Sequence, residues 1–397
     1  MEVPKQQTID YDILVAVMEV AAAQDTRLVA AMSRTCRRLH TESIKWLLSR
    51  EVLLGWESDL ISFCNFMLAD QTNHRFSIWY GRFVLYMGTI SMEASSLLCD
   101  VLSRCGNSHV TDLQLWDATR LLQSDPRLSS AFASFTRLDF LYIDLQRGDR
   151  EGTRFLRLLR SPLKSVRLQL PTFTYTQRAG SESRVIYARG ADPFWLLSKL
   201  NASLERVEVD GDITTGAYKQ QFLHITELSL EQEIPLVRPL IASLPNLRVL
   251  EFTAIHRMRL RDNLYTMRGF VGKNFNTREC REINLRDQRT YGAWTTLDML
   301  AAPTITAYGA ALLSRINRLH LLGCKGRPSI ELSMMLRVIQ EARPTHLRLV
   351  LDMQEVEYIA SVARLPAAAL LSTFELRLLS RNETSEFNSF FVSRTIL

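Results

Sequence analysis

The side chains of this chain that most often carry out catalysis or bind metals are its seven histidines and six cysteines. Neither set has the spacing of a catalytic or metal-binding motif. The cysteines form no Cys-x-x-Cys pair and have no histidines at zinc-finger spacing, so they do not indicate a metal site or a disulfide framework. The sequence also lacks a nucleophile elbow, a phosphate-binding loop and a His-Glu-x-x-His helix. We therefore expect no catalytic residues, no metal and no cofactor, and we do not expect an enzyme.

The composition is that of a folded protein: 397 residues, of which 47% are hydrophobic and 23% charged. No apolar run is long enough to span a bilayer, and the first residues do not form a signal peptide. We therefore expect a protein of the cytoplasm or nucleus with no membrane partner. The net charge is +6, but the basic residues are scattered instead of gathered in one stripe, which makes nucleic acid an unlikely partner.

The amino-terminal segment, residues 8–54, carries apolar residues at helical spacing in three separate stretches. Asp10 or Asp12 is placed to cap the first helix, and Asp25 is placed to cap the second. The third helix is predicted from Thr41 onward. Three helices in ~45 residues make only a small core, so a module of this kind usually buries part of its apolar surface on a partner.

The order Ile-Asp-Tyr-Asp-Ile-Leu-x-x-Val-Met from residue 9, then Leu-Val-x-x-Met-Ser-Arg-Thr-Cys-Arg-Arg-Leu-His from residue 28, resembles the F-box of fungal-type F-box proteins. The resemblance implies that residues 5–54 bind a Skp-type adaptor and, through it, a cullin and RING ubiquitin ligase. The residues that the resemblance assigns to adaptor contact are Ile9, Ile13, Leu14, Val17, Met18, Leu28, Met32, Cys36 and Leu39. The alternative interpretation is a plain helical cap that closes the domain after it.

After residue 75 the sequence repeats the pattern apolar-x-x-apolar-x-apolar, which is the strand segment of leucine-rich repeats. Most copies follow one another at the spacing of that family, ~20 to 29 residues, and longer steps leave room for insertions. The middle residues of the copies are Phe83, Leu113, Leu138, Val166, Val207, Leu228, Leu250, Ile283, Leu319, Leu347 and Leu376. Between several of these strands lie segments with helical spacing, at residues 91–105, 153–160, 193–200, 330–343 and 355–371.

The fold class that we expect is α/β: a three-helix F-box at 5–54, a helical linker or cap at 55–75, and an irregular leucine-rich-repeat solenoid at 76–397. The solenoid would have about eleven repeats, with a parallel sheet on its curved inner face and helices outside. A doubly wound α/β enzyme is the alternative, but it would need a glycine-rich phosphate loop after an early strand, and none is present. The insertions at 171–190 and 257–279 are expected to form long loops.

In each predicted strand the residues between the apolar positions point to the opposite, concave face of the sheet. Carboxylates dominate that face over residues 208–251, and arginine and histidine dominate it over residues 286–377. We expect a bipolar surface for a protein substrate, with one aromatic anchor, because aromatic and arginine side chains dominate binding hot spots. The residues assigned to substrate binding are Trp116, Arg167, Glu208, Glu251, Arg286, His320, Arg348 and Arg377.

Three functions are compatible with the sequence. The first is the substrate-recognition subunit of a Skp-cullin-F-box ubiquitin ligase, in which the F-box docks the adaptor and the repeats bind a protein substrate. The second is a non-catalytic leucine-rich-repeat interaction scaffold without ubiquitin transfer. The third is a nucleic-acid-associated repeat protein, suggested by the pI near 9.0 alone. Only seven of the 48 basic residues are lysine, the ubiquitin acceptor, which favours the first function but also fits a base-composition bias.

Overall fold

The computed structural model describes residues 10–49, 51–105, 109–146, 149–170, 176–179, 182–185, 192–211, 220–231, 236–253, 277–323, 328–352, 358–379 and 389–395. Over these residues the protein is a mixed α/β protein in which parallel strands alternate with helices. The chain divides into two compact units, residues 1–164 and residues 165–397. No helix in the described ranges is long and apolar enough to cross a membrane.

The first unit opens with three helices that pack on one another. They are α1 (Tyr11–Gln24), α2 (Thr26–Ser33) and α3 (Arg37–Leu48). Asp10 and Asp25 cap the first two helices, as predicted, each accepting a hydrogen bond from a backbone N–H two residues later. The third helix begins at Arg37 and not at Thr41, because Cys36 already has the extended backbone of an N-cap residue.

Four parallel strands follow in the first unit and lie side by side in chain order. They are β1 (Val52–Leu54), β2 (Tyr80–Tyr86), β3 (His109–Trp116) and β4 (Phe140–Asp144). The helices between and after them are α4 (Glu57–Leu68), α5 (His74–Ile78), α6 (Met92–Ser103), α7 (Ala118–Ser124), α8 (Leu128–Phe132) and α9 (Arg150–Leu158). Helices α4, α6, α8 and α9 pack in succession, so the unit repeats strand, turn and helix.

Two strands of the first unit differ from the sequence prediction. Residues 52–54, assigned to the end of the F-box, form a strand because Val52 and Leu54 are buried on one side and Leu53 points to the other. Strand β4 is shifted by three residues: Leu141, and not Leu138, pairs with Leu113 of β3. The predicted and observed strands fit the same apolar pattern, so the pattern could not separate them.

The described residues of the second unit form eight parallel strands in chain order and one antiparallel strand at the end. They are β5 (Ser165–Gln169), β8 (Arg206–Asp210), β9 (Glu227–Glu231), β10 (Val249–Phe252), β11 (Thr296–Pro303), β12 (Arg315–Leu322), β13 (His346–Asp352), β14 (Thr373–Leu379) and the antiparallel β15 (Ser389–Thr395). A separate hairpin joins β6 (Thr176–Ala179) to β7 (Glu182–Val185) inside the insertion predicted as a loop at 171–190. The rest of that insertion, and residues 257–276 of the second predicted loop, lie outside the described residues.

The helices of the second unit alternate with its strands. They are α10 (Pro193–Leu196), α11 (Val237–Ser243), α12 (Thr277–Tyr291), α13 (Thr304–Ala310), α14 (Pro328–Ala342) and α15 (Tyr358–Ala363), with 3-10 turns at Ser198–Leu200 and Pro366–Leu370. Helices α11 to α15 pack in succession. The apolar strand residues on the side of the helices are buried, which leaves the other face of the sheet for polar side chains.

The prediction of a strand around Ile283 was wrong, because these residues belong to helix α12 and the strand is β11. The helix buries three polar or charged side chains about one turn apart, Arg281, Asn284 and Gln288. Asn284 accepts the N–H of Val237 at 2.9 Å and donates to Gly309 O at 3.0 Å, and Gln288 donates to Ala311 O at 3.0 Å. A search for apolar positions cannot find a helix whose buried face is built from amides that satisfy neighbouring backbone groups.

Candidate protein-binding surfaces

Helix α1 carries a line of exposed apolar side chains on the side away from the other two helices. Ile13, Val17 and Val20 are 56%, 45% and 62% exposed. Their spacing of four and three residues places them on one face of the helix. We call these three residues the α1 stripe. Leu28 is similarly exposed on α2. Adjoining large apolar side chains that are exposed to water are typical of a surface that binds another protein.

The structure divides the nine residues assigned to adaptor contact. Ile13, Val17 and Leu28 are exposed, and Cys36 is exposed at the start of α3. The residues that pack into or against the core of the module are Leu14, Met18, Met32 and Leu39. Ile9 lies outside the described residues, and Val20 was missed by the sequence prediction.

Met18 and Leu39 therefore do not belong to the contact surface: both are buried and hold the helices together. The sequence could not sort these positions because α1 is apolar on both faces. The small residues Ala21 and Ala22 mark the inner face, since they allow the neighbouring helices to approach closely, and both are buried.

In the first unit, the face of the strands that is turned away from the helices carries a stack of aromatic rings. Tyr86 and Trp116 are directly paired on β2 and β3, and their ring centroids are 4.7 Å apart with planes 21° from parallel. This separation equals the distance between neighbouring strands, so the rings stack along the direction that crosses the strands. Tyr142 of β4 extends the stack, with its ring 4.4 Å from that of Trp116. Trp116, the predicted anchor, is thus the middle of three rings.

In the second unit, the face of the strands that is turned away from the helices carries a row of side chains at one register position. The row runs across eight neighbouring strands and consists of Arg167, Glu208, Ser229, Glu251, Ala301, His320, Arg348 and Glu375. Five of the predicted substrate-binding residues therefore lie side by side. Arg377 is on β14, two residues beyond this row. Arg286 is not on the sheet at all, because it lies on helix α12.

The first end of the row is acidic and partly buried. Arg167 forms ion pairs with Glu208 at 3.3 Å and with Asp210 at 3.0 Å. Burial raises the pKa of the Asp210 carboxyl to about 6; Arg167 opposes the rise and Glu231 adds to it. Burial also raises the pKa values of Glu208 and Glu231. The guanidinium of Arg167 thus stabilises the charged form of carboxylates whose charged form is disfavoured by burial.

We expect the stability of the second unit to report the raised pKa of Asp210. The folded protein keeps the Asp210 proton up to a pH of about 6, whereas the unfolded chain loses it near 3.8, so this group's contribution to stability falls as pH rises between these values. Asp210→Asn removes this titration and can keep a hydrogen bond to Arg167. The free energy of unfolding of the variant minus that of wild type should therefore rise between pH 4 and pH 7, by on the order of 2 kcal/mol.

Urea denaturation of the full chain at both pH values measures this difference. Glu227→Gln, which removes one carboxylate from an exposed position on the same face, is the control variant. An equal difference for Asp210→Asn at pH 4 and pH 7 would show that the carboxyl titrates normally in the folded protein.

The other end of the row carries both signs of charge. Arg348 pairs with Glu375 at 3.3 Å. Burial lowers the pKa of His320, and the charge of Arg348 beside it lowers it further, so His320 is mainly neutral at pH 7. The positive charge at this end comes from arginine, and His320 contributes a hydrogen-bonding group.

Over the described part of the chain, no group of three or more His, Cys, Asp or Glu side chains could hold a metal ion. Burial raises the pKa of Cys64 to about 12 and that of Cys99 to about 11, so these thiols are not activated nucleophiles.

No protein-family model matches this chain, and no curated protein matches it. The arrangement of the side chains is suited to binding other proteins.

Proposed function

We propose that this protein is the substrate-recognition subunit of a Skp-cullin-F-box ubiquitin ligase. In this proposal the amino-terminal helices form an F-box that docks a Skp-type adaptor, and the two units present leucine-rich repeats to a protein substrate. The observation that carries it is the α1 stripe, because a three-helix module with a complete small core still exposes Ile13, Val17 and Val20 to water. Burying these side chains on a partner would release roughly 25 cal/mol for each Å² of apolar surface removed from water.

The repeat character of the rest of the chain supports the second half of the proposal. Successive strands are parallel, neighbouring strands follow one another in the chain, and the packed helices return the chain to the start of the next strand. Each repeat of this type buries its apolar side on the neighbouring repeats, and the array leaves a long polar sheet face free. The row from Arg167 to Glu375 lies on such a face, and its fixed charges of both signs would select a partner with complementary charges.

The distribution of lysine is compatible with this function. The chain has no lysine between Lys45 and Lys164. Lys45 forms an ion pair with Glu42 at 2.8 Å, and Lys164 forms one with Asp139 at 3.1 Å. A subunit that holds other proteins beside a ubiquitin-transfer enzyme gains from offering few acceptors of its own, since arginine does not accept ubiquitin.

The direct test is complex formation between the full chain and a purified Skp-type adaptor. Size-exclusion chromatography with light scattering should show a stoichiometric complex, which then recruits a cullin-RING assembly. A wild-type chain that stays monomeric beside an excess of adaptor would remove the ligase function. The second candidate, a scaffold without ubiquitin transfer, would then account for the charged sheet face.

A second variant separates substrate binding from adaptor binding. We expect Arg348→Glu together with Glu251→Arg, which reverse charge at two positions of the row, to bind the adaptor normally and to lose substrate. Quantitative mass spectrometry of proteins ubiquitylated by the reconstituted ligase in cell extract measures the loss. Proteins modified with wild type but not with this variant are the expected result, and an unchanged set would exclude the row as the substrate surface.

A further inference from the structure

An open slot lies at the end of the aromatic stack. The last pair recorded between β1 and β2 is Leu54 with Leu85, so the next position, Gly55, lies beside Tyr86. One face of the Tyr86 ring is covered by Trp116, and the rings stack along the direction that crosses the strands. The other face of Tyr86 is therefore turned toward the position of Gly55, where there is no side chain.

The space over Gly55 is empty. Apart from its chain neighbours, no residue that the structure describes has an atom within 4 Å of the position that a Cβ would take at Gly55. The backbone of Gly55 is not among those with positive φ, so a left-handed conformation does not explain the glycine. What the missing side chain does provide is access to the Tyr86 ring, which is 45% exposed. A planar group could stack on this side of the ring as Trp116 does on the other.

The rim of the slot is apolar and acidic. Trp56 follows Gly55 and is 75% exposed, and Met92 is 84% exposed. The Glu57 carboxylate accepts the backbone N–H of Ser91 at 3.2 Å, which brings the residues next to Trp56 and Met92 together. The first turn of helix α4 contains the carboxylates of Glu57 and Asp59, and the first turn of helix α6 contains that of Glu93.

Positive charge is missing from the two chain segments that build the slot. Residues 51–74 and residues 83–103 contain no lysine and no arginine, although the whole chain has a net charge of +6. Arg82, on strand β2, is held at the opposite end of the strand by Asp112 at 2.8 Å and by Glu51 at 3.6 Å. Arg120 lies beside Gly88, just after Tyr86, but it is paired with Asp117 at 3.3 Å. The charged side chains of the two segments are therefore carboxylates, which favour a cation.

We propose that this slot binds an arginine side chain of a protein partner. The planar guanidinium stacks on the open face of Tyr86, and the carboxylates of the rim balance its charge. Trp56 and Met92 contact the apolar residues that flank the arginine. The identification of that partner as a ligase substrate rests on the proposed function, whereas the chemistry of the slot does not.

Selection of a displayed library of short peptides on the full chain tests the proposal. We expect enriched peptides to carry arginine at one fixed position. A synthetic copy of one such peptide should lose at least about 10-fold in affinity when its arginine is replaced by citrulline, which keeps the shape and removes the charge. Enrichment of peptides without a fixed arginine, or equal binding of the citrulline peptide, would overturn the proposal.

Three variants locate the binding. Tyr86→Ala removes the stacking surface and Gly55→Val fills the slot, and both should abolish binding of the selected peptide. Tyr80→Ala is the matched control, because Tyr80 is on the same strand and similarly exposed, at 49%, but at the other end. Binding that survives in both slot variants, with unfolding midpoints equal to wild type, would place the arginine elsewhere.

The same proteins are assayed for adaptor binding, which keeps the two proposals apart. Adaptor binding by Tyr86→Ala at the wild-type level, together with lost peptide binding, supports both. A wild-type chain that binds the arginine peptide but not the adaptor would retain the slot and remove the ligase function.

Discussion

A chain with Ile13→Asp and Val17→Asp should lose its affinity for a Skp-type adaptor by at least roughly 100-fold. Both side chains are exposed in the free protein, so the substitutions leave the module's core intact, but each would place a carboxylate in an apolar interface. Apolar hot-spot residues contribute about 2 kcal/mol or more each, and the desolvated charge adds to the loss. Isothermal titration with the full chain measures the change.

Two other residues that the sequence assigned to adaptor contact are unsuitable for this experiment. Leu14 and Met32 resemble contact residues in the sequence, but they pack against the core of the three helices, and aspartate there would unfold the module. Leu158→Asp is the matched control, because Leu158 is an exposed apolar residue of α9 in the same unit. Circular dichroism should show equal helix content in all three proteins. Normal binding by the double variant would mean that the α1 stripe is not the docking surface.

The second large effect concerns stability. Trp79→Ala should lower the free energy of unfolding by about 3 to 5 kcal/mol, because it leaves a large cavity at a fully buried ring within an aromatic cluster. The Trp79 ring packs against Phe63 at 5.3 Å, Phe83 at 5.0 Å and Phe135 at 6.1 Å. The cluster joins helix α4 to strand β2, so its loss separates the helical layer of the first unit from its sheet.

Two further variants identify the cause of that loss. Trp56→Ala makes the same chemical change at an exposed site and should alter the free energy of unfolding by no more than about 0.5 kcal/mol. Trp79→Phe should cost much less than Trp79→Ala, since it keeps a ring in the cluster and removes a buried indole N–H that has no hydrogen-bond partner. Urea denaturation measures all three, and equal losses at positions 56 and 79 would contradict the packing argument.

The strands illustrate how far the sequence determines the fold. The predictions at β2, β3, β5, β8, β9, β10, β12, β13 and β14 are confirmed, because in these strands the side chains facing the helices are apolar and most of the residues between them are polar. This alternation is a local property of the chain. The in-register row from Arg167 to Arg348 follows from it, since strands that begin at equivalent positions place equivalent residues side by side.

The failures occur where two local solutions are equally good or where polar residues are buried. Leu138 and Leu141 are both candidates for the middle of β4, and only pairing with Leu113 selects the second. In α12 the buried face includes the amides of Asn284 and Gln288, which bond to backbone groups far away in the chain. Hydrogen bonds between distant parts of the chain leave no apolar pattern in the sequence.

The sequence by itself determined the alternation of helices and parallel strands, the positions of most strands, the two helix caps at Asp10 and Asp25, and the side of the sheet on which charged residues lie. Each of these depends on neighbouring residues in the chain. Only the tertiary structure decided which apolar residues of α1 are left in water, which rings join Trp116, and that Gly55 opens a slot beside Tyr86. These features depend on contacts between elements far apart in sequence, and burial is a property of that packing and not of any residue alone.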